Sequence, residues 1–317
     1  MIIAPMTTTS SSAASLQGAV RLGDWGLIRA HGDDAASFLH SQLTQDIASL
    51  REGQARLAGY CSAKGRLLAS FIAWKSDAST VLLACSADLL PATLKRLSMF
   101  VLRAKCKLSD ASAELVLYGL AGAAAAEWLG SQAPVQVWQV ATTGDAMVLR
   151  LPDAEGVPRY LLCTPAQSLE PQLPVLSAGA WAWLEARSAV PRIVAATVEQ
   201  FVPQMVNLEA LDGVNFRKGC YPGQAVVARS QYRGTLKRRG FLLEADAAAV
   251  PGQEVFSGAD PDQPAGMVVN AGSHQDAHAA FVELKISALE AGSLHLGSAG
   301  GPALRAAALP YALPVEA

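Results

Sequence analysis

Short runs of alternating hydrophobic and polar residues make up most of the chain, and helical spacing interrupts them at a few places. The first run predicts a strand over 25–30, and Asp33 or Asp34 then caps a helix with apolar residues at every fourth position. Three more strand-like runs, separated by turn residues, follow at 55–61, 67–74 and 80–85. A second helix with one apolar face is predicted after Ser86, and strands are predicted at 106–108 and 114–120. Helices packed on one side of an antiparallel sheet give an α+β fold.

Beyond residue 120 the pattern predicts a second α+β unit and then a change to short strands. Helices are predicted over 121–129 and 178–189, with strands between them at 135–140, 147–151 and 160–163. From Lys237 onward the strands are short and broken by Gly, Pro and Asp, which is typical of a small β-barrel or sandwich. The predicted organisation is a flexible tail (1–18), an N-terminal α+β domain (19–110), a middle α+β region (111–236) and a C-terminal β-barrel (237–317). This prediction allows segments of the first two domains to alternate along the chain.

Composition narrows the class of protein. With 317 residues, 51% of them hydrophobic and 16% charged, the chain can form packed cores. It has no apolar run of about eighteen residues, so we expect no membrane span. Its first residues lack the basic start of a signal peptide, so a cytoplasmic location is predicted. The net charge of −2 disfavours a broadly nucleic-acid-binding protein.

The cysteines and common motifs exclude several kinds of site. Five widely spaced cysteines form no CxxC pair, so neither a disulfide framework nor a metal or iron–sulfur site held by this chain alone is expected. The sequence also contains no P-loop, GxGxxG, GxSxG or HExxH motif. Nucleotide-cofactor and hydrolase functions therefore have no support.

The least ordinary stretch runs over 201–239 and has Cys220 at its centre. Glycines on both sides of this cysteine let the backbone turn tightly, which predicts a loop. Lys218 and nearby arginines favour the thiolate over the thiol, so Cys220 is a candidate reactive residue. The alternative is a small buried hydrophobic residue in a tight turn.

The motif KGCYPGQ over 218–224, followed by VAR at 227–229 and YRG at 232–234, resembles the signature of the folate-binding YgfZ family. That family is related to the aminomethyltransferase, or T-protein, of the glycine cleavage system. The resemblance implies a three-domain T-protein-like fold, with two α+β domains and a C-terminal antiparallel β-barrel around a central folate channel. It implies tetrahydrofolate as the cofactor. One departure is Ala225, where the family pattern usually has glutamate.

The resemblance implies two folate contacts among the tryptophans, Trp25 and Trp181, since both match positions at which that family contacts folate. An indole suits this role because a flat pterin can stack on it. Without the resemblance, both would be interpreted as core residues. The candidate functional thiol is Cys220 with Lys218 beside it, and the candidate folate contacts are Trp25, Trp181, Tyr221, Gln224, Arg229, Arg233, Arg238 and Arg239.

The basic run over 232–239 has three open interpretations. Its arginines could bind the carboxylates of a folate glutamate tail, contact RNA phosphates, or form an ordinary solvated face. The sequence does not separate these uses.

Related aminomethyltransferases carry an acidic pair where this chain has Ala69 and Ser70. Without that carboxylate, aminomethyl transfer is not expected. The favoured hypothesis is a tetrahydrofolate-binding accessory protein that supports iron–sulfur cluster assembly or repair in client enzymes, including tRNA-modifying ones. The alternatives are a folate-dependent one-carbon transferase using Cys220 and an RNA-contacting module.

Overall fold

The computed structural model describes residues 16–232 and 236–314, and the strands in these ranges form three antiparallel sheets, one of them closed into a barrel. The strands are β1 (Gly18–Arg21), β2 (Trp25–His31), β3 (Ala55–Cys61), β4 (Leu67–Asp77), β5 (Thr80–Ser86), β6 (Lys107–Asp110), β7 (Leu115–Ala121), β8 (Val140–Thr143), β9 (Ala146–Ala154), β10 (Val157–Pro165), β11 (Arg238–Ala245), β12 (Glu254–Ser257), β13 (Asp260–His274), β14 (Ala277–Lys285), β15 (Leu294–Leu296) and β16 (Ala303–Ala307). The helices are α1 (Ala35–Gln42), α2 (Leu90–Ser98), α3 (Gly122–Leu129), α4 (Ala178–Arg187), α5 (Gln224–Tyr232) and α6 (Ile286–Glu290).

The first sheet has the order β3-β4-β5-β2-β6, and the second has the order β1-β7-β10-β9-β8. Strands β11 to β16 close into a barrel in the order β11-β14-β13-β12-β15-β16. The predicted α+β class with a C-terminal antiparallel barrel is therefore confirmed. Strand β1 precedes the first sheet in the chain but pairs with β7, so the second sheet takes its edge from the N-terminal segment.

Strands β3 and β4 of the first sheet are mostly buried, every residue of β5 is buried, and the edge strand β6 has no buried residue. Helix α4 lies between the second sheet and the barrel. Ser177 caps its N-terminus by accepting a hydrogen bond of 3.0 Å from the backbone N–H of Ala180. Gly272 of β13 lets the barrel approach this helix, because a Cβ atom there would lie 2.2 Å from the backbone nitrogen of Trp183. Helix α4 is thereby fixed where the sheets and the barrel meet.

One predicted strand is wrong. The alternation over 135–140 predicted a strand there, but the structure has a turn, and β8 begins only at Val140. The side-chain oxygen of Gln139 accepts hydrogen bonds from the backbone N–H groups of Val135 (2.9 Å) and Gln136 (3.0 Å). These contacts bend the backbone, and Trp138 adopts a positive φ of 66°.

The domain limits near 110 and 236 stay predictions, and the predicted tail over 1–18 falls mostly outside the described residues. Within 16–232 and 236–314, no helix combines the length and apolar character needed to span a membrane.

Candidate functional site

A partly open cavity lies where both sheets, helix α4 and the barrel meet, and about 450 Å³ of space lies within it when its opening to solvent is included. Most of its wall is apolar or aromatic, and a few polar groups from distant parts of the chain point to the same space. The polar and aromatic lining residues are Trp25, Ser70, Phe71, Trp138, Arg159, Glu185, Ser188, Arg192 and Asn270. An apolar cavity with a few convergent polar groups is typical of a small-molecule site.

Glu185 of α4 is the only carboxylate among the lining residues that the structure describes. The indole N–H of Trp25 donates a hydrogen bond of 3.2 Å to its Oε1 atom. Arg192 lies 3.6 Å from Oε2, and only 13% of the Glu185 side chain is exposed. Burial raises the pKa of Glu185, and the positive charges of Arg192 and Arg159 oppose that rise. The result is a largely dry carboxylate beside an indole.

Two arginines complete the polar part of the cavity. The guanidinium of Arg192 lies 4.9 Å from the centre of the Trp25 ring and forms a 2.6 Å ion pair with Asp24. Arg159 is buried, its Nε donates to the carbonyl of Pro152 at 3.0 Å, and burial lowers its pKa to about 10. Both cations are held in place before any ligand arrives.

The segment that carries Arg192 is fixed from both sides. The N–H of Arg192 donates to Oδ1 of Asn270 at 3.1 Å, which ties the segment to the barrel. The N–H of Ile193 donates to Oγ of Ser70 at 2.9 Å, which ties it to β4 of the first sheet. Ser70 is buried, and it is one of the two residues that the sequence resemblance aligns with the acidic pair of the related transferases. It contributes a hydroxyl to the cavity and holds a backbone group.

The structure separates the two predicted tryptophans. Trp25 lines the cavity and is partly exposed. Trp181 is 3% exposed and lies outside the cavity wall, packed so closely on β7 that a Cβ atom at Gly119 would be 2.6 Å from its ring. The guanidinium of Arg159 lies 5.4 Å from the Trp181 ring centre and therefore sits between that indole and the cavity. Direct contact of Trp181 with folate stays a prediction.

Sequence reasoning missed Glu185, Arg159 and Arg192. Glu185 offered the clearest signal, because it is the one carboxylate in the apolar helix and lies one turn after Trp181. Neither arginine gave a signal in the sequence, since Arg159 lies on a strand and Arg192 in a loop, and no motif surrounds either residue.

The Cys220 loop packs on the turn between β3 and β4. Gly223 has a φ of +81°, and a Cβ atom there would lie 2.4 Å from the carbonyl oxygen of Ser62. A Cβ atom at Gly65, across the contact, would be 2.8 Å from the Val226 side chain. This close approach explains why the motif needs glycine at 223.

Lys218 anchors the same loop to the end of α1. Its Nζ donates to the carbonyl oxygens of His40, Leu43 (2.5 Å) and Gln45 (3.2 Å), which include acceptors left free where α1 ends. Burial lowers the pKa of Lys218 to about 8. Lys218 thus has a defined structural role besides the predicted one beside the thiol.

Cys220 itself is exposed, as predicted for a loop residue. Neither Cys220 nor Lys218, Tyr221 or Gln224 is among the residues that line the cavity. Tyr221 is buried, and its ring centre lies 5.1 Å from Nζ of Lys218. Gln224 is the half-buried first residue of α5. The thiol and the cavity are therefore two separate features.

The predicted arginines have different surroundings. Arg229 is exposed on α5, and Arg233 lies outside the described residues. Arg238 forms a two-point ion pair with Glu283, with 2.9 Å between its Nη2 and Oε2. Arg239 is buried and pairs with Glu209. Use of Arg238 or Arg239 by a folate tail would require these ion pairs to open.

Comparisons with known proteins agree on one family. Three curated proteins, each named tRNA-modifying protein YgfZ, match over most of the chain. The one from Edwardsiella ictaluri is 38% identical over 258 residues, covering 73% of this chain and 72% of the relative. The one from Hamiltonella defensa is 33% identical (73% and 71% covered), and the one from Klebsiella pneumoniae is 32% identical (78% and 77% covered). A scan of protein-family profiles found no match.

Among solved structures, the aminomethyltransferase T of the glycine cleavage system from Bartonella henselae superposes with a TM-score of 0.68. The match covers 95% of this chain and 89% of that one at 18% sequence identity. The predicted T-protein-like fold is confirmed.

Proposed function

Because this chain belongs to the YgfZ family, we propose that it binds tetrahydrofolate in the cavity beside Trp25 and Glu185. Bound to folate, it acts in the cytoplasm as an accessory protein. It supports the assembly or repair of iron–sulfur clusters in client enzymes, including enzymes that modify tRNA. The relatives' shared name, tRNA-modifying protein, supports the last element of this proposal.

The observation that carries folate binding is the pairing of Glu185 with Trp25 in an apolar cavity. A pterin presents adjacent N–H donors, from a ring nitrogen and an exocyclic amine, along one edge of a flat ring. A carboxylate accepts two such donors at once, and an indole face stacks on the ring. The cavity residues therefore fit the group in hydrogen-bonding and stacking chemistry.

The same residues argue against a one-carbon transferase. Such an enzyme needs a second group to assist attack at the folate nitrogen, and Ser70, already bonded to the N–H of Ile193, replaces the acidic residue. Cys220 does not line the cavity, so its thiol is not placed to receive a group from a ligand bound there. In the proposed function Cys220 instead acts outside the cavity, toward a client protein.

Calorimetric titration with tetrahydrofolate tests the proposal. Glu185→Gln keeps the size of the side chain but removes its charge, and we expect affinity to fall about ten- to a hundredfold. Glu114→Gln, which removes an exposed carboxylate paired with Arg29, is the matched control and should bind as the wild type does. Equal affinity for wild type and Glu185→Gln would overturn the proposed site.

A second assay tests the accessory role. In cells that lack the native protein, wild type should restore the activity of an iron–sulfur tRNA-modifying enzyme, whereas Glu185→Gln should not. Full restoration by a variant that no longer binds folate would show that the accessory role does not depend on folate.

A further inference from the structure

A compact surface on the first sheet, over 95–107, combines exposed cations with exposed apolar side chains. Within these thirteen residues lie five of the chain's 25 lysines and arginines and no aspartate or glutamate. All five cations are exposed, namely Lys95, Arg96, Arg103, Lys105 and Lys107. We call this segment the 95–107 surface.

Three large apolar side chains emerge among those cations. Met99 is 67% exposed, Phe100 is 46% exposed and Leu102 is 87% exposed. Three such residues within four positions, surrounded by charge, are more than the scattered exposed hydrophobic residues of an ordinary surface. Their exposure indicates a contact with another molecule.

The surface is held in a defined shape. The backbone N–H of Lys105 donates to Oδ2 of Asp34 at 2.7 Å, and the Lys105 carbonyl accepts from the Asp34 N–H at 3.1 Å. Gly32 allows this approach, because a Cβ atom there would lie 2.1 Å from the Lys105 carbonyl oxygen. The loop that follows α2 is thus fixed to the start of α1, and its apolar residues project from a firm base.

We propose that the 95–107 surface binds RNA that has unpaired bases. A dense positive charge with only one exposed ion pair, between Lys105 and Asp33 at 3.5 Å, fits a polyanion. Phe100 offers a ring on which a base can stack, and the flanking cations bind phosphates without reading sequence. The choice of RNA over other polyanions rests on the proposed link to tRNA modification.

The location supports this assignment. Burial raises the pKa of the Tyr60 hydroxyl and the nearby charge of Arg96 opposes that rise. Tyr60 also pairs across a β-bridge with Leu43. The carbonyl of Leu43 in turn accepts from Nζ of Lys218 in the Cys220 loop. Lys105 bonds Asp34 at the start of α1, and Lys218 bonds the carbonyl of His40 near its end. The 95–107 surface and the Cys220 loop therefore both border this helix.

Fluorescence anisotropy with a labelled tRNA tests the proposal. Wild type should bind at about 50 mM salt and weaken steeply toward about 200 mM. Arg103→Glu with Lys107→Glu should reduce the salt slope by about 1.4, which corresponds to two phosphate contacts on a single strand. Phe100→Ala should weaken binding about tenfold, the effect of losing one stacked base.

The matched control is Arg21→Glu with Arg51→Glu, which reverses two exposed cations outside both the 95–107 surface and the basic run over 232–239. It should bind tRNA as the wild type does. The proposal fails if the control loses as much affinity as the surface variant. It also fails if wild type does not bind tRNA. In a competition experiment, wild type that sediments with anionic phospholipid vesicles and leaves tRNA unbound would likewise overturn it. Tetrahydrofolate titration of the same variants should be unchanged, so failure here is distinguishable from failure of the proposed folate site.

Discussion

The indole nitrogen of Trp25 and Oε1 of Glu185 are 3.2 Å apart in space although 160 residues separate them in the chain. The contact joins a strand of the first sheet to the helix that packs on the barrel. Trp25 is thereby both a wall of the cavity and a support for the carboxylate, whereas Trp181 lies behind Arg159. The two tryptophans should respond differently to substitution.

We expect Trp25→Ala to weaken tetrahydrofolate binding about two- to tenfold, the effect of losing one stacking partner. Trp181→Ala should instead lower the free energy of unfolding by about 3–5 kcal/mol, because it removes a large buried ring. Urea denaturation together with calorimetric titration separates the two effects. Loss of affinity without loss of stability in Trp181→Ala would contradict its placement in the core.

Thiol labelling should single out Cys220. It is exposed, whereas burial raises the pKa values of Cys61, Cys85 and Cys163 to about 12. Near pH 8 those three remain protonated and inaccessible, so iodoacetamide should modify Cys220 first, as mass spectrometry of peptides would show. In Cys220→Ser the fast phase should disappear. A fast phase that persists in this variant would place the reactive thiol elsewhere.

The sequence suggested that Arg239 contacts folate, but its ion pair with Glu209 predicts a role in stability instead. Arg239→Ala leaves a buried carboxylate without its partner and should destabilise the protein by about 3–5 kcal/mol. Arg239→Met combined with Glu209→Gln removes both charges and should recover most of that loss in urea denaturation. A loss in the double variant as large as in the single one would contradict a buried, mutually compensating pair.

How far the sequence predicted this structure depends on how local each signal was. The run over 55–61 coincides with β3, because alternation and the following turn residues act over a few positions. Strand β1 went unpredicted because its four residues are defined by pairing with β7, about a hundred residues away. The strand predicted over 135–140 failed for a different reason, because the side chain of Gln139 accepts hydrogen bonds from the backbone of Val135 and Gln136, four and three residues away.

The candidate site shows the same limit. The KGCYPGQ motif located the exposed thiol loop, because glycines on both sides of a cysteine predict a turn from neighbouring residues alone. The use of the run ending in Arg238 and Arg239 stayed open between a folate tail, RNA phosphates and a solvated face, since its carboxylate partners, Glu283 and Glu209, are 45 and 30 residues away. The cavity joins groups from two sheets, a helix and the barrel, so periodicity could not predict it.

Because the ammonium of Lys218 is largely buried, we expect the free energy of unfolding to depend on pH. Burial lowers its folded-state pKa to about 8, whereas an unfolded lysine titrates near about 10.4. Between these values the unfolded state binds a proton that the folded state has released, so the contribution of Lys218 to stability rises as pH rises through this interval. Below about pH 8 the residue is charged in both states, and the cost of burying that charge is fully present.

Replacement by methionine isolates this contribution. The stability of wild type relative to Lys218→Met, from urea denaturation, should therefore increase from about pH 7.5 to pH 10. Lys237→Met, at an exposed lysine, controls for the loss of one positive charge and for the titration of every other group. A difference between wild type and Lys218→Met that stays constant with pH, or moves the other way, would show that the ammonium is not desolvated where it meets the carbonyls of His40, Leu43 and Gln45.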